Sequence, residues 1–173
     1  LSFVGAYNIS NMAFEIVKEN EQAVRRFLRQ ENLRRLANDR NGIIRDANRL
    51  TYNFAASIKT FIDITERFIN KDFGSKALKS YHDDVQKPTF DNCFEYALFV
   101  RLRNYVVHRM YPYTRISVSE AGVDLSVVTE DLLQWDGWTV LKDKIKARGP
   151  KLRLEEYVFR ATASVLAIWI AFV

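Results

Sequence analysis

Residues 43–69 read IIRDANRLTYNFAASIKTFIDITERFI, and this stretch carries the clearest structural pattern of the chain. Its apolar residues recur at alternating spacings of three and four, which places side chains on one face of an α-helix. Asn41-Gly42 precedes the stretch and Phe73-Gly74 follows it, and both pairs are typical of boundaries. We therefore predict one long amphipathic helix between them. Its core face comprises Ile43, Ala47, Leu50, Phe54, Ile58, Phe61, Thr65 and Phe68.

Further helical patterns lie on both sides of this stretch. A first helix is predicted after Ser10, with a bend or break near Asn32, and it belongs to an N-terminal helical extension over residues 1–40. A shorter helical piece is expected over residues 75–85. Lys87-Pro88-Thr89 should end it, because a proline ring clashes with the preceding turn of a helix.

The next predicted helix runs from about Phe90 to Met110. Asp91 is a plausible N-cap or first-turn acid, and Glu95 follows closely. Pro112 should end this helix. The predicted core stripe of this helix consists of Phe94, Leu98, Leu102 and Tyr105.

Residues 114–129 change to a period of two, with Ala121-Gly122 as a turn, and this pattern predicts a small β-hairpin. A short helix is expected over residues 137–146 and a last helix over residues 154–172. The fold class is therefore mainly all-α, a helical bundle with one hairpin. The whole of 1–173 is expected to form a single domain.

The composition is that of one folded domain: 173 residues, 48% hydrophobic and 27% charged. Cys93 is the only cysteine, so no internal disulfide or cysteine-based metal site can form, and a reducing cytoplasm is the expected location. No signal peptide is recognisable. The apolar run 161–173 is shorter than the roughly 20 residues that span a bilayer, so we expect a buried last helix and no membrane contact.

The net charge is +5, and the basic residues include 16 arginines. The planar guanidinium group donates to two phosphate oxygens at once, which suits contact with nucleic acid. A basic but merely solvated surface is the alternative interpretation.

The chain has two histidines, so candidates for proton transfer near neutral pH are few. His82, in Tyr81-His82-Asp83-Asp84, is interpreted as part of a solvated polar turn rather than a metal ligand. His108 ends a helical run in which Asn104 lies four positions earlier, on the same face, where its amide could orient the imidazole. Arg103 directly precedes Asn104. A proton-transferring histidine beside an arginine that neutralises phosphate charge suits RNA cleavage without a metal, although such spacing also occurs by chance in an arginine-rich chain.

At Arg103-Asn104-Tyr105-Val106-Val107-His108 the sequence resembles the HEPN family. The signature of that family is an arginine, four to six residues and a histidine, often with asparagine after the arginine, near the end of a helix in an α-bundle. The following Arg109-Met110-Tyr111-Pro112 resembles the tail of many bacterial members. The resemblance implies a HEPN-like helical bundle from about Asn41 to Phe172, with the hairpin as an insertion after the motif helix.

The resemblance also implies a function. HEPN proteins commonly form homodimers in which two motif helices face each other across a cleft, and many are metal-independent endoribonucleases of toxin–antitoxin or antiphage defence systems. Arg103 and His108 would then be catalytic, with Asn104 in support and no cofactor. The expected partners are RNA, a second copy of the chain and an antitoxin or defence protein. The side chains expected to contact substrate are Arg101, Tyr105, Arg109 and Tyr111.

Such an enzyme would cleave RNA by attack of the 2′-hydroxyl, leaving a 2′,3′-cyclic phosphate and a 5′-hydroxyl. Two other interpretations remain open. One is a non-catalytic HEPN-like module that binds RNA or a nucleotide, or acts as a helical interaction scaffold. The other is a helical protein that contacts a small ligand or lipid through its C-terminal helix. The aromatic turn Trp135-Asp136-Gly137-Trp138 has no role that the sequence predicts.

Overall fold

The structure is a computed structural model that describes residues 3–172. Helices dominate the described part of the chain, and the short strands form two antiparallel two-stranded sheets. One hydrophobic core extends from Ala13 to Ile168, so the helices and both sheets share it. In chain order the elements are α1 (Phe3–Phe27), α2 (Gln30–Leu36), α3 (Arg40–Tyr81), a π-helix (His82–Gln86), α4 (Lys87–Asn92), α5 (Phe94–His108), β1 (Ser117–Ser119), β2 (Gly122–Asp124), β3 (Val127–Val128), α6 (Thr129–Leu133), a 3₁₀ helix (Asp136–Leu141), α7 (Lys142–Lys146), β4 (Lys151–Leu152), a second 3₁₀ helix (Leu154–Glu156) and α8 (Val158–Phe172).

Helix α3 confirms the long amphipathic helix predicted from its periodicity. The Asp39 carboxylate caps its first turn and accepts a hydrogen bond from the Gly42 N–H at 2.8 Å. Its buried face packs against α1 and α5. Seven of the eight predicted core residues are buried, and Leu50 is half-buried against the same core.

The predicted boundary at Phe73-Gly74 is confirmed as a break within α3. Gly74 has φ 83° and ψ 174°, a left-handed conformation that glycine adopts without steric cost. Helix resumes directly after it, in agreement with the helical piece expected over residues 75–85. The prediction that Lys87-Pro88-Thr89 breaks this helix is wrong, because the π-helix continues into α4 with helical backbone angles at Gln86 and Lys87, and Pro88 lies in the first turn of α4.

Helix α1 begins earlier than the sequence predicts, at Phe3 rather than after Ser10. The break predicted near Asn32 lies earlier, at Leu28 and Arg29 between α1 and α2, and Asn32 itself is inside α2. Phe14 of α1 packs edge-on against Phe61 of α3 and stacks on Trp169 of α8. The N-terminal segment is therefore an integral part of the core.

The predicted hairpin is confirmed for its first half only. β1 and β2 pair with Val118 opposite Val123, around the turn at Ala121-Gly122. Val127, which continues the alternating pattern, instead pairs with Leu152 of β4 in a separate sheet. Sequence periodicity indicates a strand but does not name its partner, and here the partner lies 25 positions away.

Helix α5 starts later than predicted, at Phe94. Its N-cap residue is Cys93, which has extended backbone angles, so the prediction of Asp91 as N-cap is wrong; Asp91 lies inside α4. The predicted core stripe is confirmed, since Phe94, Leu98, Leu102 and Tyr105 are all buried. Among residues 3–172, no helix combines the length and the apolarity that crossing a bilayer requires.

Candidate functional site

The motif residues occupy the last turns of α5. The helix ends at His108, and the backbone N–H of Arg109 closes it by donating to the Tyr105 carbonyl at 2.8 Å. Arg109 has φ −132° and ψ −80°, so the chain leaves the helix there, ahead of Pro112. The motif therefore lies where the sequence predicts it, at the end of a helix whose other face is in the core.

Arg103 and Asn104 form a hydrogen-bonded pair. The Arg103 Nη1 donates to Asn104 Oδ1 at 3.2 Å, and both side chains are half-buried. A guanidinium has five N–H donors in one rigid plane, so a single bond to an amide restricts its orientation and leaves other donors for an anion. Asn104 thus positions the arginine, whereas the sequence suggested contact with the histidine.

His108 is exposed to solvent at the end of the helix. Within the described residues its imidazole makes no hydrogen bond to Arg103 or Asn104. Five positions of an ideal helix correspond to about 140° of rotation, so Arg103 and His108 point in different directions from one helix. A single chain does not bring the guanidinium and the imidazole together.

Exposed apolar residues flank His108 in the sequence. Val107 is 51% exposed, Met110 39% and Tyr111 53%. Three exposed apolar side chains within five positions at the end of one helix are a candidate for a surface that a partner covers. Sequence reasoning assigned only Tyr111 a role here, although Val107 directly precedes the histidine of the motif.

Two of the four expected substrate contacts are exposed just after the end of α5. Arg109 is exposed, and its Nη2 donates to Gln134 Oε1 at 3.3 Å. Tyr111 presents its ring to solvent. Both side chains are therefore accessible to a ligand at the end of α5.

Arg101 lies elsewhere. Two positions of a helix correspond to about 200°, so Arg101 projects from the side of α5 opposite Arg103. Its guanidinium carbon lies 5.5 Å from the centroid of the Phe90 ring, and the side chain lines a cavity that contains none of the three catalytic candidates. The structure therefore does not place Arg101 beside Arg103.

The expectation that Tyr105 contacts substrate does not fit its packing. Tyr105 is 1% exposed, stacks on Trp138 with ring centroids 5.5 Å apart, and meets Trp135 edge-on at 5.8 Å. Burial raises the pKa of its phenol. Tyr105 is thus a core residue, and no base can stack on it without unfolding the turn above it.

This packing explains the aromatic turn at Trp135-Asp136-Gly137-Trp138. The two indoles pack edge-on with centroids 5.3 Å apart, and Trp138 Nε1 donates to the Leu132 carbonyl at 2.6 Å. A Cβ atom on Gly137 would lie 2.1 Å from the Trp135 ring, so only glycine fits there. The turn covers Tyr105 and stabilises the back of the motif helix.

The chain after the motif is anchored to α3. Asn48 Nδ2 donates to the Tyr113 carbonyl at 2.7 Å, and the Tyr113 N–H donates to Asn48 Oδ1 at 2.9 Å. Both residues are buried, and burial raises the pKa of the Tyr113 phenol. Tyr113 is therefore packed inside the protein, whereas Tyr111, two positions earlier, is accessible.

His82 occupies a more structured place than the solvated turn that the sequence predicts. It opens the π-helix, its Nδ1 lies 2.7 Å from Gln86 Oε1, and its Nε2 lies 3.8 Å from Glu66 Oε1. With Arg101 it lines a cavity of about 380 Å³ between α3, the π-helix, α4 and α5. In the part of the chain that the structure describes, no three His, Cys, Asp or Glu side chains form a group suited to a metal ion.

Comparison of the chain with protein-family models, with curated proteins and with solved structures finds no match. The functional argument therefore depends on the side chains themselves. These are the hydrogen-bonded Arg103–Asn104 pair, the exposed His108 and the exposed apolar residues that flank it in the sequence.

Proposed function

We propose that this protein is a HEPN-type endoribonuclease that cleaves RNA without a metal ion. The observation that carries the proposal is the arrangement at the end of α5, where Asn104 holds Arg103 at 3.2 Å and His108 is open to solvent. A guanidinium stabilises the charge that develops on a phosphate during cleavage, and an imidazole takes up or supplies the proton.

A homodimer would complete the site. Arg103 and His108 diverge by about 140° on one helix, so a two-fold axis beside α5 would set the Arg103 of one protomer against His108 of the partner subunit. The exposed Val107, Met110 and Tyr111 supply the apolar surface that such a contact would bury. A single cleft on that axis would then contain both His108 side chains and both Arg103 side chains.

The chemistry of this composite site balances without a cofactor. The RNA 2′-oxygen attacks the adjacent phosphorus while one His108 accepts the 2′-hydroxyl proton. The bond between phosphorus and the 5′-oxygen breaks, and His108 of the partner subunit donates a proton to that oxygen. The products are a 2′,3′-cyclic phosphate and a 5′-hydroxyl, and Arg103 stabilises the extra negative charge in between.

The competing proposal is a module that binds RNA without cutting it. The exposed Arg109 and Tyr111 favour it, because a cation and an aromatic ring at one surface bind single-stranded RNA through phosphate contact and base stacking. This interpretation needs no convergence of Arg103 and His108.

Incubating end-labelled RNA with the full chain in excess chelator separates the two proposals. The nuclease proposal expects cleavage with a cyclic or 3′-phosphate end, lost in His108→Ala and Arg103→Ala and retained in Arg67→Ala, an exposed arginine of α3. Binding without cleavage supports the module. A 3′-hydroxyl product, or wild-type cleavage by His108→Ala, contradicts the mechanism.

A role as a toxin or antiphage effector, held in check by an antitoxin or defence partner, follows from the nuclease proposal. Expression of the wild-type chain in bacteria should then arrest growth, and expression of His108→Ala should not. Equal growth of the two strains at equal protein levels would contradict that role.

A further inference from the structure

A short segment holds the whole net charge of the chain. Six of the 26 basic residues and one of the 21 acidic residues lie within residues 142–153, so this segment carries +5 and the rest of the chain has no net charge. We call residues 142–153 the basic segment; it covers α7, the turn that follows and β4. Its six cations are all exposed: Lys142, Lys144, Lys146, Arg148, Lys151 and Arg153.

Most of this charge is not compensated by nearby carboxylates. Lys142 pairs with Asp136, and Lys151 pairs with Asp124. Among residues 3–172 the other four cations form no ion pair, and Asp143 is the only acid of the segment itself. Exposed charges of one sign raise the local potential and attract ligands of the opposite sign. The basic segment therefore presents a surface of positive potential.

Two of the cations without an ion pair are held against the start of α5. Lys144 Nζ donates to the Asp91 carbonyl at 2.9 Å. Arg148 Cζ lies 4.5 Å from the centroid of the Phe94 ring and 5.7 Å from that of Tyr157. A guanidinium that lies over an aromatic ring keeps the N–H groups of its edge for other acceptors, so Arg148 is oriented before a ligand binds.

The remaining cations extend this surface toward the β1–β2 hairpin. Lys151 and Arg153 flank the buried Leu152, so both project from the exposed side of the chain. Lys151 pairs with Asp124 of β2, and Arg153 lines a surface depression with Gly122. The basic segment thus reaches from the start of α5 to the hairpin, which suits an extended polyanion better than one small anion.

A polynucleotide fits this surface better than a membrane or an acidic protein. The two large apolar side chains of the segment, Ile145 and Leu152, are buried, whereas a membrane-surface element inserts apolar side chains into the lipid. Protein–protein interfaces are depleted in lysine, and four of the six cations here are lysines. Lysine and arginine along an extended surface are the usual contacts to the phosphates of a nucleic acid.

The basic segment and the motif lie at opposite ends of α5. Arg148 lies over Phe94, the first residue of α5, and His108 is the last, so about 20 Å of helix separates the two places. Gln134 accepts a hydrogen bond from Arg109 beside the motif. The chain from Gln134 to Arg148 therefore follows α5 from its end back to its start, and an RNA that occupies both places has to be longer than a dinucleotide.

From these observations we propose that the basic segment binds the phosphate backbone of RNA, independently of base sequence, and holds the RNA that is cleaved at the end of α5. Lys144, Lys146 and Arg148 contact the phosphates nearest α5, and Arg153 continues the path toward the hairpin. The inference rests on the proposed function for the identity of the polyanion, but the binding itself requires no catalytic residue.

A binding assay on the His108→Ala chain tests the proposal without cleavage of the probe. The probe is a fluorescein-labelled oligouridylate of about 20 nucleotides, and its anisotropy is followed in excess chelator at several salt concentrations. Each phosphate contact to a single strand adds about 0.7 to the slope of log affinity against log salt concentration. Replacing Lys144, Lys146 and Arg148 together by glutamine should therefore reduce the slope by about 2 and weaken binding about 100-fold at about 0.1 M salt.

The matched control removes the same charge from another surface. Arg67, Lys71 and Lys76 are exposed on α3, and none of them forms an ion pair in the part of the chain that the structure describes. Their joint replacement by glutamine should leave binding within about 2-fold of the unchanged chain, because salt at about 0.1 M screens charges beyond about 10 Å.

The cleaving chain connects the basic segment to the motif. The triple replacement of Lys144, Lys146 and Arg148 should raise KM for a long RNA and leave kcat unchanged, because these side chains lie far from the reacting phosphate. A dinucleotide, which is too short to reach both places, should be cleaved equally by both chains. If the wild type binds RNA through the basic segment but cleaves none, the nuclease proposal fails and the binding proposal stands.

Other results would overturn the binding proposal. They are unchanged binding by the triple variant, an equal loss in the α3 control, or tighter binding of polyglutamate or of anionic phospholipid vesicles than of RNA. If the triple variant does not fold, Lys146→Gln with Arg153→Gln replaces it, since these side chains make no hydrogen bond within residues 3–172. This pair should reduce the salt slope by about 1.4, and an unchanged slope would equally contradict the proposal.

Discussion

Replacing Asn48 by alanine should release the segment that follows the motif. Asn48 of α3 makes the two hydrogen bonds, 2.7 and 2.9 Å, that satisfy the carbonyl and the N–H of Tyr113. Asn48 is 6% exposed and Tyr113 1%, so water cannot replace the lost amide without rearrangement. Each backbone group left without a partner costs about 1–3 kcal/mol.

The two losses sum to about 2–6 kcal/mol, and alanine regains about 0.6 kcal/mol of helix propensity over asparagine. We therefore expect Asn48→Ala to lower the free energy of unfolding by about 3 kcal/mol. With a urea m-value of about 2 kcal/mol/M, the unfolding midpoint should fall by about 1.5 M. Tryptophan fluorescence can measure this unfolding midpoint, because Trp135 and Trp138 pack against Tyr105 of α5.

Asn53→Ala is the matched control. Asn53 is exposed on the same helix, so its replacement gains the same helix propensity and loses no buried hydrogen bond. Its midpoint should equal or slightly exceed that of the wild type. Asn48→Asp, which keeps an acceptor for the Tyr113 N–H but sets an oxygen against the Tyr113 carbonyl, should be at least as destabilised as Asn48→Ala. If Asn48→Ala and Asn53→Ala unfold at the same urea concentration, the reasoning about this anchor is refuted.

Three further outcomes are expected. Gly137→Ala should lower the free energy of unfolding by about 1–3 kcal/mol, because the new Cβ overlaps the Trp135 ring, and thermal melting with near-ultraviolet circular dichroism should record both the loss and the altered indole packing. His108→Ala should reduce RNA cleavage by at least about 100-fold with an unchanged melting temperature, since the imidazole is exposed and makes no hydrogen bond within residues 3–172; a large drop in melting temperature would contradict this. Burial raises the pKa of the Glu155 carboxyl, so its ionisation disfavours the folded state and the contribution of this group to stability should decline as the pH rises from below the unfolded pKa through the folded one. Glu155→Gln should therefore gain stability relative to the wild type between pH 4 and pH 7, and a constant difference across that range would show that the carboxyl is not responsible.

The elements that could be predicted from the sequence are those whose cause is local. The apolar spacing from Ile43 to Phe68 defines α3, and Gly74 interrupts it where the sequence indicates, because glycine alone accepts that backbone conformation without strain. The same local rules misplace Pro88. A proline ends one helix or opens the next according to which neighbouring residues already form hydrogen bonds, and its own position does not say which.

The candidate site also combines features that have a local cause with features that depend on distant residues. The position of Arg103, Asn104 and His108 at the end of a helix follows from the α5 pattern and its termination before Pro112. The burial of Tyr105, which keeps it from contacting substrate, could not be predicted from this pattern. The Trp135–Trp138 turn that covers Tyr105 begins 30 positions further along the chain.

The cavity, too, is assembled from segments that are distant in sequence. Gln86 and His82 are near neighbours in the π-helix, but Arg101 and Glu66 come from other helices. No spacing rule brings these four residues together.

By itself, therefore, the amino-acid order determined the mainly helical class, the long central helix and the placement of an arginine, an asparagine and a histidine near the close of α5. Only the tertiary structure decided that Val127 pairs with Leu152, that Tyr105 is inside while Tyr111 is outside, and that Arg101 faces a cavity instead of the motif. The physical reason is the distance in sequence over which each effect acts. Helical periodicity and capping act over a few residues, whereas burial, strand pairing and cavity formation depend on which distant surfaces the chain packs together.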